Sequence, residues 1–226
     1  MSFDGKSTTD DVLEGIRLDG KHAFITGATG GLGIETARAL ASVGASVTIA
    51  GRSPDKIEAA LSTLRASVPG SSFDGAEVDL ASLSSIRTAS QKFVSAKNKI
   101  DLLINNAGVM MCPKGQTADG FETQFGTNHL GPFALTAGLM PALVEGGRVV
   151  TLSSGAHLRG SVDLDDLNWE SREYNPHSAY AQSKTAHIWF TLELHRRYAD
   201  RFLALAVHPG VIGTDLMRHL PSAVFE

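Results

Sequence analysis

Six short apolar runs alternating with stretches of helical spacing leave this chain few ways to fold. The runs are His22–Thr26, Ser46–Ala50, Gly75–Val78, Leu102–Ile104, Arg148–Leu152 and Leu203–Val207. Helical spacing fills Ile34–Val43, Pro54–Ser67, Leu83–Val94, Phe121–Val144 and Ala179–Tyr198. Strands that alternate with helices need crossover connections, and crossovers build a parallel sheet covered on both faces. The expected fold class is therefore α/β, a single doubly wound parallel sheet with helices on both faces. A chain of 226 residues can bury one large core. No linker, repeat or low-complexity segment marks a second domain. Residues 1–19 read as a polar lead-in in which Thr9-Asp10-Asp11 caps a short helix through Val12, Leu13 and Ile16. The domain proper is expected over 20–226.

Charge and composition remove several classes of partner. A net charge of −4, with the longest basic run only His195-Arg196-Arg197, argues against nucleic acid. No apolar run approaches membrane-spanning length, because Phe133 to Val144 is broken by Thr136, Gly138 and Pro141. The first residues, MSFDGKSTTDD, carry acids and hydroxyls where a secretory signal needs an apolar stretch. The single cysteine, Cys112, excludes an intramolecular disulfide and fits a reducing compartment. A cytoplasmic protein is expected. The histidines show no metal-ligand spacing such as His-Glu-x-x-His, so no metal site is expected.

The first strand runs into Thr26-Gly27-Ala28-Thr29-Gly30-Gly31-Leu32-Gly33, and a helix follows. Glycines let a backbone turn tightly and approach a ligand where a Cβ would collide. The N–H groups and partial positive charge of a helix N-terminus suit a pyrophosphate. Gly27, Thr29, Gly31, Leu32 and Gly33 are accordingly candidates to cradle a dinucleotide, against the plainer reading of a connecting turn. The end of the second strand bears on which dinucleotide. A carboxylate there would bind the ribose 2′-hydroxyl of NAD(H), whereas an arginine accommodates the 2′-phosphate of NADP(H). The chain has Gly51-Arg52 and no acid, which favours NADP(H), with a solvated surface Arg52 as the alternative.

Tyr180-Ala181-Gln182-Ser183-Lys184 puts a phenol and an ammonium on one helix face, four residues apart. A free tyrosine titrates near pH ~10. A neighbouring ammonium is expected to lower that value and make the phenol a usable general acid or base.

Taken together, these motifs resemble the short-chain dehydrogenase/reductase family. Beside Thr-Gly-x-x-x-Gly-x-Gly at 26–33 and Tyr-x-x-x-Lys at 180–184, the chain carries Asn105-Asn106-Ala107-Gly108, Asn128, Ser153-Ser154 and Pro209-Gly210 in the family's order. Ser154-Gly155-Ala156-His157, the acidic segment Asp163–Asp166 and Ala179–Lys184 look closest to the retinol-dehydrogenase-like branch, which does not make retinoids the substrate. The resemblance implies an oxidoreductase acting on a small-molecule alcohol, aldehyde or ketone. It implies Tyr180 as proton donor or acceptor and Ser154 (with Ser153 competing) as hydrogen-bond partner of the substrate oxygen. Lys184 would lower the Tyr180 pKa and bind the nicotinamide ribose, and Asn128 would hold a water in a relay to solvent. Asn106, Ala107 and Gly108 would pack along the coenzyme. Asp79, with Leu80 beside it, would approach the adenine. Pro209, Gly210, Val211 and Thr214 would lie by the nicotinamide.

The apolar residues Ile188, Trp189, Phe190, Leu192 and Leu194 spread beyond one stripe of the Tyr180 helix. With the resemblance, that implies a homo-oligomer, a dimer or tetramer. Two departures stand out. Gly30 replaces a serine common in the family. The resemblance also implies a substrate-binding segment and a seventh strand beyond Glu226, so a truncated chain, or a pocket closed differently, is expected. A dinucleotide sensor or scaffold without turnover and a different Rossmann enzyme such as a methyltransferase are the competing readings. An intact Ser154, Tyr180 and Lys184 weigh against the first, and the Tyr-x-x-x-Lys helix and Arg52 against the second.

Overall fold

A computed structural model of the protein describes residues 3–217. Its strands are β1 (His22–Thr26), β2 (Ser46–Gly51), β3 (Phe73–Glu77), β4 (Ile100–Asn105), β5 (Leu143–Leu152) and β6 (Phe202–Val207). They form one parallel sheet in the order β3-β2-β1-β4-β5-β6. The chain reverses its direction of travel across the sheet between β1 and β4. In an open α/β sheet that switch point is where a ligand crevice opens beyond the carboxyl ends of the strands.

The helices are α1 (Thr9–Leu13), α2 (Gly31–Ser42), α3 (Pro54–Ser67), α4 (Leu83–Ser95), α5 (Thr123–Phe125), α6 (Gly131–Leu139) and α7 (Pro176–Tyr198). Side chains on β1 alternate between two cores. Phe24 packs with Ile86, Leu135, Leu139, Phe190 and Leu194 from α4, α6 and α7. Ala23 and Ile25 pack with Ala37, Ile57, Leu61 and Leu64 from α2 and α3. Burial on both faces explains why the central strands read as unbroken apolar runs. The lead-in helix α1 has Thr8 as its N-cap, with Asp11 completing a capping box. It is tied to α2 through Arg38, which bonds both Asp10 and Glu35.

The helix expected over Phe121–Val144 differs from what forms. It is divided into α5, a π turn at Gly126–Leu130, and α6, and it ends at Leu139 before a 3₁₀ turn through Pro141. Strand β5 then begins at Leu143, five residues earlier than the apolar run suggested. Proline explains the main division. In an unbroken α-helix the residue at 132 would donate to the Asn128 carbonyl, but Pro132 has no N–H. The Gly131 N–H instead reaches back to the Gly126 carbonyl, closing the wider π turn.

The π turn sets His129 among Phe125, Phe133, His187 and Phe190, with ring centroids 5.1–6.3 Å away. Burial lowers the His129 pKa to about 4 and that of His187 well below the ordinary imidazole value. An unfolded chain takes up these protons near pH ~6.5, before the folded one does. Stability should therefore fall as pH drops from about 6.5 to about 4. Urea midpoints across that range test this, and His129→Phe should flatten the slope. An unchanged slope in that variant would sink the assignment.

Candidate active site

The crevice at the switch point is held by a small set of hydrogen bonds. The Thr26 hydroxyl accepts from the backbone N–H groups of Asn106 (3.0 Å) and Ala107 (3.1 Å). The Asn106 amide donates to the Thr26 carbonyl (2.9 Å) and the Gly27 carbonyl (3.2 Å). The glycine turn after β1 is thus fastened to the loop after β4. Two glycines make that fit possible. Gly27 has φ +67°, and a Cβ there would lie 2.7 Å from Ala107 Cα. A Cβ on Gly33 would lie 2.5 Å from the Gly27 carbonyl and 2.6 Å from Asn106 Nδ2. By contrast Gly30 is extended, at φ 177°, and a Cβ there meets nothing within 4 Å. A serine at this position has room.

The start of α2 differs from the other long helices. Ser53, Ser82 and Asn175 each place a side-chain oxygen on a first-turn amide of α3, α4 and α7, whereas α2 begins at Gly30 with no side-chain cap. Its first-turn donors, around Gly31, Leu32 and Gly33, are left for something other than a capping side chain. A cradle that a Cβ would fill and an uncapped helix N-terminus both fit a pyrophosphate. Around this cradle stand Thr29, whose methyl would meet a Cβ on Gly51 at 3.1 Å, and Thr214, 3.3 Å from the Cβ position of Gly31. Arg52, at the end of β2, is exposed and has no ion pair among the described residues.

Asp79 turns its carboxylate onto the Ala81 N–H (2.9 Å), and Ser82 rather than Asp79 caps α4. The Leu80 side chain joins the core, so only its backbone is left to face a nucleotide. Gly210 and Val211 lie exposed after β6, with Pro209 half-buried before them.

On the other side of the crevice α7 supplies Tyr180 and Lys184, which are 4% and 5% exposed. The Lys184 ammonium donates to the Leu152 carbonyl at 2.7 Å and lies 5.7 Å from the Tyr180 ring centroid. The serine pair divides cleanly. Ser153 is buried and donates to the Lys184 carbonyl (3.3 Å), whereas Ser154 stands close enough to the Tyr180 phenol to pull its pKa downward. Ser154 also opens the 3₁₀ turn Gly155–Arg159, where its hydroxyl receives the Ala156 N–H. Gly108 closes the group, since a Cβ there would sit 3.1 Å from Asn128 Oδ1 and 3.9 Å from Lys184 Nζ.

Two expectations change in this geometry. The Asn128 side chain is fully committed: its carbonyl oxygen receives the Val109 N–H (2.8 Å), and its amide donates to the Val109 carbonyl (2.9 Å) and Ser183 Oγ (3.0 Å). Pro132 has no N–H to give the Asn128 backbone carbonyl, and the His187 ring faces that backbone. The Tyr180 pKa, expected to fall, is raised. Burial is the larger cause, and the Ser154 hydroxyl pulls weakly the other way. The ammonium does not reverse this because it turns to Leu152, and burial lowers its own pKa to about 8.

Residues to which the sequence assigned no role brace the site. Gln182, between Tyr180 and Lys184, receives Arg172 Nη2 at 2.8 Å and donates to the Leu167 carbonyl at 3.1 Å. The Arg172 guanidinium lies 3.7 Å from the Trp169 ring centroid. Only the position of Gln182 inside the Tyr-x-x-x-Lys turn could have drawn attention to it.

The model of the family described as short chain dehydrogenase matches residues 21–224. The chain is 45% identical over 205 residues to Retinol dehydrogenase 13 of Homo sapiens, covering 89% of this chain and 62% of that protein. The chain thus spans less than two thirds of that relative. A crystal structure of a protein from Mycobacterium Paratuberculosis superposes with a TM-score of 0.78 at 47% identity, covering 90% of this chain and 73% of that one. A Short chain dehydrogenase from Burkholderia cenocepacia J2315, solved in complex with NADP, gives 0.71 at 29% identity, covering 88% and 78%.

The cradle can be tested on stability alone. Gly33→Ala should cost about 1–3 kcal/mol, because backbone must move to admit the methyl. Gly30→Ser should stay within about 0.5 kcal/mol, since the site has room and serine is at least as good an N-cap. Equal losses in urea titrations would remove the close approach on which the cradle depends.

Proposed function

The chain belongs to the short chain dehydrogenase family, and from that premise we propose that it is an oxidoreductase that transfers a hydride between NADP(H) and a small alcohol, aldehyde or ketone. The observation that carries this reading is the meeting of Ser154, Tyr180 and Lys184 across a crevice from an uncapped helix start. The nicotinamide supplies or accepts the hydride when bound. The chain's own part is to orient the reactants and to manage charge and protons at the substrate oxygen.

Carbonyl reduction builds negative charge on that oxygen. Tyr180 and Ser154 would be its two hydroxyl donors, and donors fixed in advance stabilise the charge as it forms. Burial holds the phenol protonated at neutral pH, the form an acid needs. Lys184, with its pKa near 8, keeps most of its charge at pH 7, and with one N–H seated on the Leu152 carbonyl its other two would meet the ribose hydroxyls. The Asn128 carbonyl would seat a relay water. Gly27, Thr29, Gly31, Leu32 and Gly33 would hold the pyrophosphate. Asn106, Ala107 and Gly108 would line the coenzyme, with Asp79 and Leu80 at the adenine and Pro209 to Thr214 near the nicotinamide. The NADP complex of the Burkholderia relative supports the choice of coenzyme, as do Arg52 and the missing acid at Gly51. Assembly as a dimer or tetramer fits the exposed apolar side chains of Phe133, Trp189 and Leu192 on α6 and α7.

Tyr180→Phe should keep the fold and NADPH affinity while turnover drops by a factor on the order of 10² to 10⁴. NADPH absorbance with a panel of aldehydes and ketones measures it. A variant reducing its best substrate at the parent rate would refute the assignment. Coenzyme choice is separable. NADPH should bind more tightly than NADH by about 1–3 kcal/mol. Arg52→Ala should narrow that difference while sparing NADH, as isothermal titration would show. Equal affinities in the parent protein would count against it.

A further inference from the structure

His187 lies one turn beyond Lys184 on α7 and is completely buried. Its Nδ1 is 3.2 Å from the Leu152 carbonyl, the same oxygen that receives the Lys184 ammonium at 2.7 Å. On its other side stands the backbone of Asn128, which also attracts a ring proton, yet Nε2 makes no hydrogen bond of ordinary geometry. The formed bond therefore selects the tautomer with hydrogen on Nδ1.

This choice decides the use of two carbonyls. With hydrogen on Nδ1, the ring helps to fix the Leu152 carbonyl and makes no demand on the Asn128 carbonyl, to which Pro132 cannot donate. With hydrogen on Nε2, the Asn128 carbonyl would be consumed and the Nδ1 lone pair would face the Leu152 oxygen. The titratable groups that face the ring are Lys184 on α7 and His129 on the π turn. The end of β5 contributes the Leu152 carbonyl, which does not titrate. Among the described residues no carboxylate acts on the ring, so a second positive charge here would oppose the ammonium directly.

We propose that His187 is a positioning residue for Lys184, fixing from Nδ1 the Leu152 carbonyl that seats the ammonium and making no demand on the Asn128 carbonyl. The proposal rests on the coenzyme-binding reading for its consequence, since a displaced ammonium would meet the ribose less well. Its core, the tautomer and the shared carbonyl, is testable without turnover.

Two variants separate position from mere polarity. In His187→Asn the amide nitrogen is attached to Cγ, as Nδ1 is, so it can donate to Leu152. In His187→Gln the amide lies one bond further out, toward the place of Nε2. NADPH affinity by isothermal titration should stay within about 2-fold of the parent for Asn and weaken on the order of 3- to 10-fold for Gln, the worth of one hydrogen bond. Long-range ¹H–¹⁵N correlation spectra of the parent, without coenzyme, should show hydrogen on Nδ1 of His187. Hydrogen on Nε2, or Gln matching or exceeding Asn, would overturn the proposal. If no tested carbonyl compound is reduced but these results hold, the catalytic reading fails and the positioning role stands.

Discussion

The fastening of the β1 turn to the β4 loop is the constraint on which the site depends. One hydroxyl, Thr26 Oγ1, receives two consecutive backbone amides, and one side-chain amide, Asn106 Nδ2, returns to two consecutive carbonyls. These are buried or half-buried polar groups, and leaving any one of them unsatisfied costs about 1–3 kcal/mol. The reciprocal arrangement leaves no slack between the loops, which is why Gly27 and Gly33 have no space for a methyl. It also fixes Gly108 a few residues on, and so the floor beneath Asn128 and Lys184.

Opposite this rigid seam, the segment ahead of α7 is held by a second buried polar group. Glu122 caps α5 by accepting the amides of Gln124 and Phe125 (2.8 and 2.7 Å), and the Tyr174 hydroxyl adds a third bond at 3.0 Å. Gln124 reaches Met111 N–H on one side and Tyr174 and Pro176 on the other. Burial pushes the Tyr174 pKa upward, so this phenol serves as a structural donor and stays protonated. Trp169 takes a left-handed backbone conformation, φ +59°, with its carbonyl gripped by Lys114 at 2.5 Å. A bulky residue rests there only when its surroundings outweigh the cost, roughly 1–3 kcal/mol. The Arg172–Trp169 stack and the Arg172–Gln182 bond supply that support, and they join the segment to the helix turn bearing Tyr180.

Much of this was legible in the sequence because it depends on period and punctuation. Strand β1 and helix α3 have the bounds that their apolar patterns marked, since Ser53 and Pro54 give an explicit helix start. Strand β5 was read short because Glu145, Gly146 and Gly147 interrupt its apolar run, although the ladder to β4 begins again at Leu143. The π turn was invisible to a period of 3.6, and only Pro132 hinted at it. The sequence also placed Ser154, Tyr180 and Lys184 as candidates, and the fold brings them together. It misjudged the electrostatics. Spacing says that Tyr180 and Lys184 share a face, but it does not say how deeply that face is buried or that Leu152 will claim the ammonium. The commitment of the Asn128 side chain to Val109 and Ser183 is a long-range fact that no local pattern encodes.

The two cores on either side of the sheet have an evolutionary consequence. Arg52 stands at the end of β2 beside the α2–α3 layer, while Tyr180, Lys184 and His187 stand on α7 in the opposite layer. Distant residues with no shared partners contribute almost independently to free energy. A lineage carrying this scaffold can therefore drift at the end of β2 without disturbing the α7 face. The glycine turn has no such freedom, because Gly27 and Gly33 abut Ala107 and Asn106 while Gly108 abuts Asn128 and Lys184. Away from that seam the sheet acts as a partition between two heritable traits, and selection can work on each in turn.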